Sequence, residues 1–393
     1  MSDKGFDIRI GGMIEFAYAE NRDQNPAHLL PDASNTDPLA LRHFTIVSGA
    51  PSYISYADGS QIINILCLIA ECFRRSYGKA PHIVVAGKHG NPCGAAISWT
   101  SPAEALERAL LGDYIAVMGG EVAVNFPVTD ELGQLLFAPR AGRDIGRHNW
   151  GLDIIFAPAF SDKAVESLGK REKRRLLANA TMESAPMPMD EWQLQPVRGG
   201  FLRQKAPNFV LTPAEVATWS GKELERPAFE SLLVAWAVCW RASSNTVALA
   251  RDGMLIGLGC GQQDRIACVR LCLERAARSG HSTKGAVFAS DGFFPYAKGH
   301  LPEGRDIAAE FAAKIEQGRG KTAREAIQII TDAFKDLLKD DLREGTELLI
   351  DAGCAGGVVP GDGKNLEEVR NLFIDAGLSV AFVSPEHRGF SKH

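Results

Sequence analysis

The feature that most constrains the fold is the repeated change between two apolar periodicities along the chain. Residues 60–77 carry apolar side chains at helical spacing, whereas 84–86 is continuously apolar, as a buried strand is. A capping box at 101–104 then opens a second helix that extends to Leu111. Further strands of this half are predicted at 121–126 and 153–157. Alternation of this kind predicts a layered α/β fold, with a sheet in which parallel and antiparallel pairs can mix.

The second half of the chain repeats this style. A helical pattern at 227–241 leads to two β-rich runs that the Asp252-Gly253 pair separates, as the turn of a hairpin does. A further helix ends at Gly280, and the strand "GAVFAS" leads into the loop "SDGFFPY". Because 393 residues can form two cores, we predict two domains. The predicted ranges are domains at 1–200 and 201–393, a connection within 180–226, a helical addition near 304–340 and a last strand–helix–strand unit at 346–384.

Composition argues against several classes of protein. The net charge of −5 gives no basic surface for nucleic acid. The longest apolar run is far below the roughly 20 residues of a membrane span, and the first residues lack the apolar region of a signal peptide. The eight cysteines include no C-x-x-C pair, which argues against a disulfide framework and a zinc ribbon. We therefore predict a cytoplasmic protein that binds neither a membrane nor nucleic acid and has no metal site.

The loop "KHGNPCG" places Lys88 and His89 at the carboxyl end of a predicted buried strand. Gly87, Gly90 and the Asn-Pro-Cys-Gly segment are interpreted as the turn that ends this strand. Open α/β sheets bind their ligands at such an edge. Histidine exchanges protons near neutral pH, and a neighbouring ammonium stabilises a developing oxyanion. The pair therefore suits acyl transfer to an amine, although a structural pair is the alternative.

Three signals in the second half leave alternatives open. "GLGCGQQDR" follows a strand and opens a helix, but its G-x-G-x-G spacing does not fit a dinucleotide site, and Arg265 binds an anion or pairs locally. The two phenylalanines of "SDGFFPY" form a platform for a flat aromatic ligand or a buried corner. Asn245 ends a helix and is either a cap or a site residue.

Several segments, in this order, resemble one family. "KHGNPCG", "SSNTVALARDGMLIGLGCGQQDR", "ASDGFFPY" and "RGFSKH" are similar to the transformylase domain of the bifunctional AICAR transformylase/IMP cyclohydrolase, as are "GAPSYIS", "GGEVAVNF" and "LDIIFAPAF". The resemblance covers nearly the whole chain and implies two tandem cytidine-deaminase-like α/β/α domains without the deaminase zinc. It also implies a stand-alone transformylase, since no segment matches the cyclohydrolase domain.

The resemblance implies an activity and a set of residues. The activity is transfer of a formyl group from 10-formyltetrahydrofolate to the 5-amino group of AICAR, in de novo purine biosynthesis. His89 would be the base, Lys88 would stabilise the oxyanion, and Asn245 would hold the formyl oxygen or the base. The residues expected to bind the substrates are Tyr18, Arg22, Gly119, Asp153, Arg265, Phe294, Pro295, Arg388 and Phe390. A homodimer with shared sites and a monovalent cation such as potassium, held by loop carbonyls, are implied as well.

Two departures from the family pattern keep alternatives open. "FAYAENRDQ" matches the family's "LRYGENPHQ" and keeps Tyr18, but the arginine that would grip a phosphate is Ala17, and Arg22 is the expected substitute. Lys298 stands where the family has an acidic residue that recognises the pterin. The alternatives are a paralogue that acts on another amine or hydrolyses formylfolate, and a non-catalytic nucleotide- or folate-binding relative.

Overall fold

The centre of the molecule is one 12-stranded sheet in which parallel and antiparallel pairs mix. The structure is a computed structural model that describes residues 9–138, 151–171, 173–188, 192–298, 307–329 and 343–389. Two small two-stranded sheets lie beside the large one. The predicted α/β class and its mixed sheet are therefore confirmed.

The strands are β1 (Ile14–Glu15), β2 (His28–Leu29), β3 (Thr45–Ser48), β4 (His82–Lys88), β5 (Asn91–Ser98), β6 (Glu121–Val124), β7 (Ile154–Ala157), β8 (Arg175–Ala178), β9 (Trp192–Val197), β10 (Gly200–Lys205), β11 (Val216–Trp219), β12 (Val247–Arg251), β13 (Met254–Gly259), β14 (Val287–Ser290), β15 (Gly356–Pro360) and β16 (Ser379–Val383). The helices are α1 (Tyr53–Tyr77), α2 (Pro102–Leu111), α3 (Asp130–Phe137), α4 (Asp162–Gly169), α5 (Arg226–Arg241), α6 (Arg265–Arg278), α7 (Ile307–Gln317), α8 (Gly345–Asp351) and α9 (Leu366–Asp375). Residues 323–329 are also helical.

The two halves of the large sheet have the same topology. The strand order is β11-β16-β15-β14-β12-β13-β5-β4-β6-β7-β8-β3. From the centre outward, each half has an antiparallel hairpin, an antiparallel neighbour, two strands parallel to that neighbour and an antiparallel edge strand. The halves join where β5 pairs with β13 at Ala96 and Met254, and the Ile97 N–H donates to Gly253 O at 2.9 Å.

Helices cover both faces of this sheet. One face carries α1 and α5, which pack against each other and against strands of both halves. The other face carries α2, α3 and α4 over the first half and α6, α8 and α9 over the second. Nearly every side chain of α1 from Ile62 to Phe73 is buried, because the helix lies between the sheet and α5. Each such aliphatic or aromatic side chain contributes about 1.5–3 kcal/mol on burial.

Local signals place several element ends where the sequence predicts them. Ser101 accepts a hydrogen bond from the Glu104 N–H at 3.3 Å and opens α2. The β12–β13 turn consists of Asp252 and Gly253, with φ of 53° and 72°, as a two-residue hairpin turn requires. Gly280, just past α6, has a φ of 77°. The turn and the two helix ends are confirmed, but only the Ser101 half of the predicted capping box forms, because the Glu104 carboxylate accepts from Ser98 Oγ and Thr100 Oγ1.

Two assignments from the sequence are wrong. The Asn-Pro-Cys-Gly segment is the start of β5, and the turn consists of His89 and Gly90 alone. Gly94 is a glycine because α2 packs closely on the strand there, so that a Cβ would collide with Ala109 O. The segment 346–351 belongs to α8, where Glu344 and Glu347 form a capping box. The strand of that unit is β15.

Two further segments differ from the expectation in extent. The proposed connection at 180–226 contains the β9–β10 hairpin and the edge strand β11. The proposed helical addition at 304–340 is helical over most of 307–329, and the remainder lies outside the described residues. Within the described part of the chain, each helix is too short or too polar to cross a membrane.

Candidate active site

The Lys88–His89 pair lies at the turn between β4 and β5. Lys88 pairs with Asn91 across this turn, and His89 and Gly90 adopt positive φ values of 54° and 69°. Histidine tolerates this backbone region better than bulkier or β-branched residues do. The His89 side chain is exposed, and Lys88 Nζ donates to Met118 O at 2.7 Å. The hairpin thus presents an imidazole to solvent and holds an ammonium beside it.

Asn91 joins this turn to the second half of the chain. Its Nδ2 donates to His89 O at 3.3 Å, and its Oδ1 accepts from Ser243 Oγ at 3.3 Å. Because β13 runs antiparallel to β5, its carboxyl end and the amino end of β12 lie at the same sheet edge as the turn. The structure therefore brings the Lys-His loop and the loop of Asn245 together, as the sequence predicted only by resemblance.

The Asn245 side chain is held by a buried polar network. Its Nδ2 donates to Gln262 O at 2.8 Å, and its Oδ1 accepts from Arg265 Nη2 at 2.7 Å. Arg265 Nη1 forms an ion pair with Asp291 Oδ1, and both residues are buried. Ser244 Oγ donates to Asp291 Oδ2 at 2.6 Å. Arg265 is thus paired locally, and its contact with a substrate anion stays a prediction.

Gly119 and Asp153 lie beside Lys88. A Cβ placed on Gly119 would lie 3.8 Å from Lys88 Nζ and 4.0 Å from Asp153 Oδ2, and Gly119 has a φ of 74°. Asp153 also forms an ion pair with Arg171, with Nη2 and Oδ1 3.4 Å apart. Lys88, Gly119 and Asp153 therefore border one space, open because residue 119 lacks a side chain.

Sequence reasoning missed two carboxyl groups at this site. Glu121 opens β6, is 3% exposed, and faces Lys88 and Asp58. Burial, followed by the charge of Asp58, raises the pKa of Glu121 to about 9. Asp58 lies in the first turns of α1, and its Oδ2 accepts the His89 N–H at 3.1 Å. The available signal was an acidic residue at the head of an otherwise apolar strand, "EVAV".

Tyr18 lies with an arginine that the sequence analysis did not select. Arg175 Nη2 donates to Tyr18 Oη at 2.7 Å, and Arg175 Nε donates to Ala50 O at 3.2 Å. Arg22 lies on an exposed 3-10 turn in the segment after Tyr18. The arginine that contacts Tyr18 is therefore Arg175, at the head of β8.

The two phenylalanines of the loop "SDGFFPY" lie in different surroundings. Phe294 is 3% exposed and packs edge-on against Phe288, with ring centroids 6.2 Å apart, so it occupies the buried corner. Arg388 lies over the Phe293 ring at 5.5 Å and forms an ion pair with Asp362. Pro295 is exposed near this surface. Phe390 lies outside the described residues.

The cysteines show no bonding to one another. All eight are free, and seven are buried. Burial raises the pKa of Cys67 and Cys354 to about 12, so these thiols stay protonated at neutral pH. Across the residues that the structure describes, no group of three histidine, cysteine or acidic side chains could hold a metal ion.

These observations define an α/β protein of two topologically equivalent halves, in which the Lys88–His89 turn lies where loops of both halves meet. Comparison with known proteins gives the family. The model of the "AICARFT/IMPCHase bienzyme" family matches residues 4–275. The chain belongs to this family, as its motifs predicted.

Curated relatives match parts of the chain. One is the bifunctional purine biosynthesis protein PurH of Bacillus subtilis, 34% identical over 211 residues, which are 54% of this chain and 38% of the relative. The PurH of Chlorobium phaeobacteroides is 29% identical over 301 residues, 76% of this chain and 53% of the relative. That of Cutibacterium acnes is 32% identical over 259 residues, 65% and 45%. The matched region thus spans about two fifths to half the length of these relatives.

Proposed function

We propose that this protein transfers a formyl group from 10-formyltetrahydrofolate to the 5-amino group of AICAR, as a phosphoribosylaminoimidazolecarboxamide formyltransferase in purine biosynthesis. The observation that carries the proposal is the link through Asn91, which joins the Lys88–His89 turn to the loop of Asn245. An exposed imidazole, an adjacent ammonium and an oriented amide are the groups that such a transfer needs. Family membership supports the substrates, since the family description names the AICAR transformylase activity.

The mechanism assigns one step to each side chain. The AICAR amine attacks the formyl carbon, and His89 takes the proton that the nitrogen loses. The carbonyl oxygen becomes an oxyanion, which the Lys88 ammonium stabilises. Lys88 uses one N–H on Met118 O, and two remain for the substrate. Collapse of the intermediate breaks the carbon–N10 bond, and the protonated His89 gives its proton to N10 as tetrahydrofolate leaves. Asn245 keeps one Nδ2 hydrogen for the formyl oxygen.

The two ends of the ligand site are proposed from cations and aromatic rings. Arg175 and Tyr18 form a donor pair near the space bordered by Gly119, suited to the AICAR phosphate, in addition to Arg22. Arg388 with Phe293 offers a stacked cation and ring for the flat pterin. Pro295 and Phe390 are proposed to contact the substrate. Phe294 belongs to the same part of the site, and because it is buried its proposed role is to shape the loop.

The finer architecture is part of the proposal. The repeated strand order supports two cytidine-deaminase-like halves with a boundary near residue 200. A homodimer is supported by the β9–β10 hairpin, which stands outside the large sheet and exposes Phe201 and Leu202. A two-stranded hairpin is marginally stable alone in water, so a partner surface would stabilise it. A cytoplasmic location fits a biosynthetic enzyme of this type.

A monovalent cation such as potassium, held by loop carbonyls, stays part of the proposal, and at the Asn245 loop two carbonyls and a carboxylate already have partners within the chain. The carbonyl of Ser243 accepts the Gly261 N–H at 2.7 Å, and that of Thr246 accepts Arg265 Nη1 at 3.0 Å. The Asp291 carboxylate there is paired with Arg265. The Arg265 guanidinium supplies the positive charge of this loop, and no step of the mechanism uses a bound metal ion.

The test is an assay of the purified protein with AICAR and 10-formyltetrahydrofolate that follows both tetrahydrofolate and the formamido product. We expect both to appear together. Tetrahydrofolate release without AICAR would favour formylfolate hydrolysis, and turnover with another amine would favour a paralogue. Binding of both ligands without turnover would favour the non-catalytic alternative and contradict the proposal. Equal affinity for AICAR and its unphosphorylated nucleoside would mean that the protein has no phosphate-binding site.

A further inference from the structure

Glu121 occupies a tight slot beneath the Lys-His turn. It pairs with Gly87 across the β4–β6 ladder. A Cβ on Gly87 would lie 2.6 Å from Ile62 Cγ2 and 3.4 Å from Glu121 Oε1, so the glycine gives room to both side chains. The Glu121 side chain in this slot is buried from bulk solvent, since the residue is 3% exposed. A carboxylate buried here would lose its hydration, which disfavours its charged form.

The ionisable groups around Glu121 come from several elements. Asp58 approaches from α1, Lys88 from β4, Asp153 from the segment before β7, and Cys93 from β5. Two of the neighbours are carboxylates, and Lys88 is the opposing cation. Among the described residues Glu121 Oε1 has no hydrogen-bond partner, so its hydrogen bond with Asp58 falls to Oε2. Two carboxyl groups joined in this way share one proton.

The contacts favour Glu121 as the member of the pair that holds this proton, because Asp58 already accepts the His89 N–H, a hydrogen bond that favours its ionised form. Desolvation raises the pKa of Glu121 from 4.5 to about 9, and the charge of Asp58 acts in the same direction. At neutral pH Glu121 is therefore a neutral donor and Asp58 is its acceptor. Asp58 Oδ2 also accepts the backbone N–H of His89 at 3.1 Å. A hydrogen-bonded chain thus leads from Glu121 through Asp58 to the turn that carries the proposed base.

We propose that Glu121 is a positioning residue, which fixes the Lys88–His89 turn by donating a hydrogen bond to Asp58. The inference rests on the proposed function for its kinetic consequences. Ionisation of Glu121 would remove the donor and place two negative charges side by side, which repel. Asp58 would then move away from its contact with the His89 N–H, and the turn would lose a constraint. Turnover should therefore fall as pH rises through about 9.

The first test compares kcat and KM over pH 6–10.5 for wild type, Glu121→Gln, Glu121→Leu and the control Glu230→Gln. Glu230 is another buried glutamate, on α5, and its partners are Arg226 and Trp99. We expect Glu121→Gln to keep most of the neutral-pH kcat and to lose the alkaline fall, because an amide also donates to Asp58 and does not ionise. Glu121→Leu should lower kcat roughly tenfold or more with a smaller change in KM. Glu230→Gln should keep the wild-type pH profile.

Two outcomes would overturn the inference. One is an alkaline fall that is unchanged in Glu121→Gln, which would assign it to another group such as Lys88. The other is a Glu121→Leu variant with wild-type kcat at neutral pH. If Glu121→Leu fails to fold, the dependence of kcat on pH in Glu121→Gln still tests the inference.

A second readout does not need activity. Carbon-13 NMR of protein labelled at the glutamate carboxyls should show one signal that titrates near pH 9 and is absent in Glu121→Gln. A Glu121 signal that titrates near 4.5 would overturn the inference. If wild type transfers no formyl group while this signal titrates near 9, the proposed function fails and the shared proton stands.

Discussion

At the scale of single residues, the site combines one exposed group with several held groups. His89 faces solvent on a turn, whereas Lys88, Asn245 and Glu121 each have partners that fix them. An exposed base can reach a ligand without moving the backbone. In the proposed mechanism, the held groups supply the geometry in which His89 acts as a base.

Removal of either member of the Lys-His pair should affect turnover more than binding. We expect His89→Ala and Lys88→Ala each to lower kcat by roughly 10²–10⁴, because each acts on charge that develops only in the transition state. Steady-state kinetics of the formyl transfer measure this. His43→Ala and Lys79→Ala, away from the turn, are the matched controls. Near-normal kcat in either site variant would argue against the assigned roles.

At the scale of elements, apolar pattern predicts more than polar contacts do. Helical spacing located α5, and capping residues helped to locate the start of α2 and the end of α6, since these signals are local. The segment 346–351 was misassigned because a short apolar run fits a strand or a helix equally well. The Arg265–Asp291 pair could not be predicted, because its members are 26 positions apart and meet only through the sheet register. The proximity of Asp58 and Glu121 could not be predicted either, because it depends on how α1 packs on the sheet.

The buried Arg265–Asp291 pair should contribute strongly to stability. Arg265→Ala leaves Asp291 charged and unpaired, so we expect the free energy of unfolding to fall by about 3–5 kcal/mol. Arg319→Ala breaks an exposed pair with Glu316 and should change it by less than about 1 kcal/mol. Urea unfolding of the variants gives the comparison. Similar small losses in both would mean that Asp291 finds another donor.

At the scale of the whole molecule, the sequence predicted the family and the meeting of loops from both halves. It did not predict that one continuous sheet connects the halves, because the β5–β13 junction consists of a single residue pair and one further backbone hydrogen bond. Such a short contact leaves no periodic pattern. The sequence also did not predict the β9–β10 hairpin, which lies within the segment 180–226 that was interpreted as a connection.

The hairpin leads to a prediction about assembly. We expect a dimer of 42.5 kDa chains in sedimentation, and a shift toward monomer when Phe201 and Leu202 are both changed to Ser. Ile374→Ser changes an exposed apolar residue on α9 and should leave the dimer intact. A wild-type monomer at micromolar concentration would contradict the dimer. A double variant that stays dimeric would place the interface elsewhere.

Because the topology repeats, the chain has two corresponding hairpin turns, and these occupy different places in the molecule. The first, at His89 and Gly90, carries the side chains of the proposed active site at one edge of the sheet. The second, at Asp252 and Gly253, lies beside Ile97 and helps to lock the halves together. Damage to the first turn should therefore yield a well-folded but inert protein, whereas damage to the second should weaken a junction that the packing of α1 on α5 also maintains.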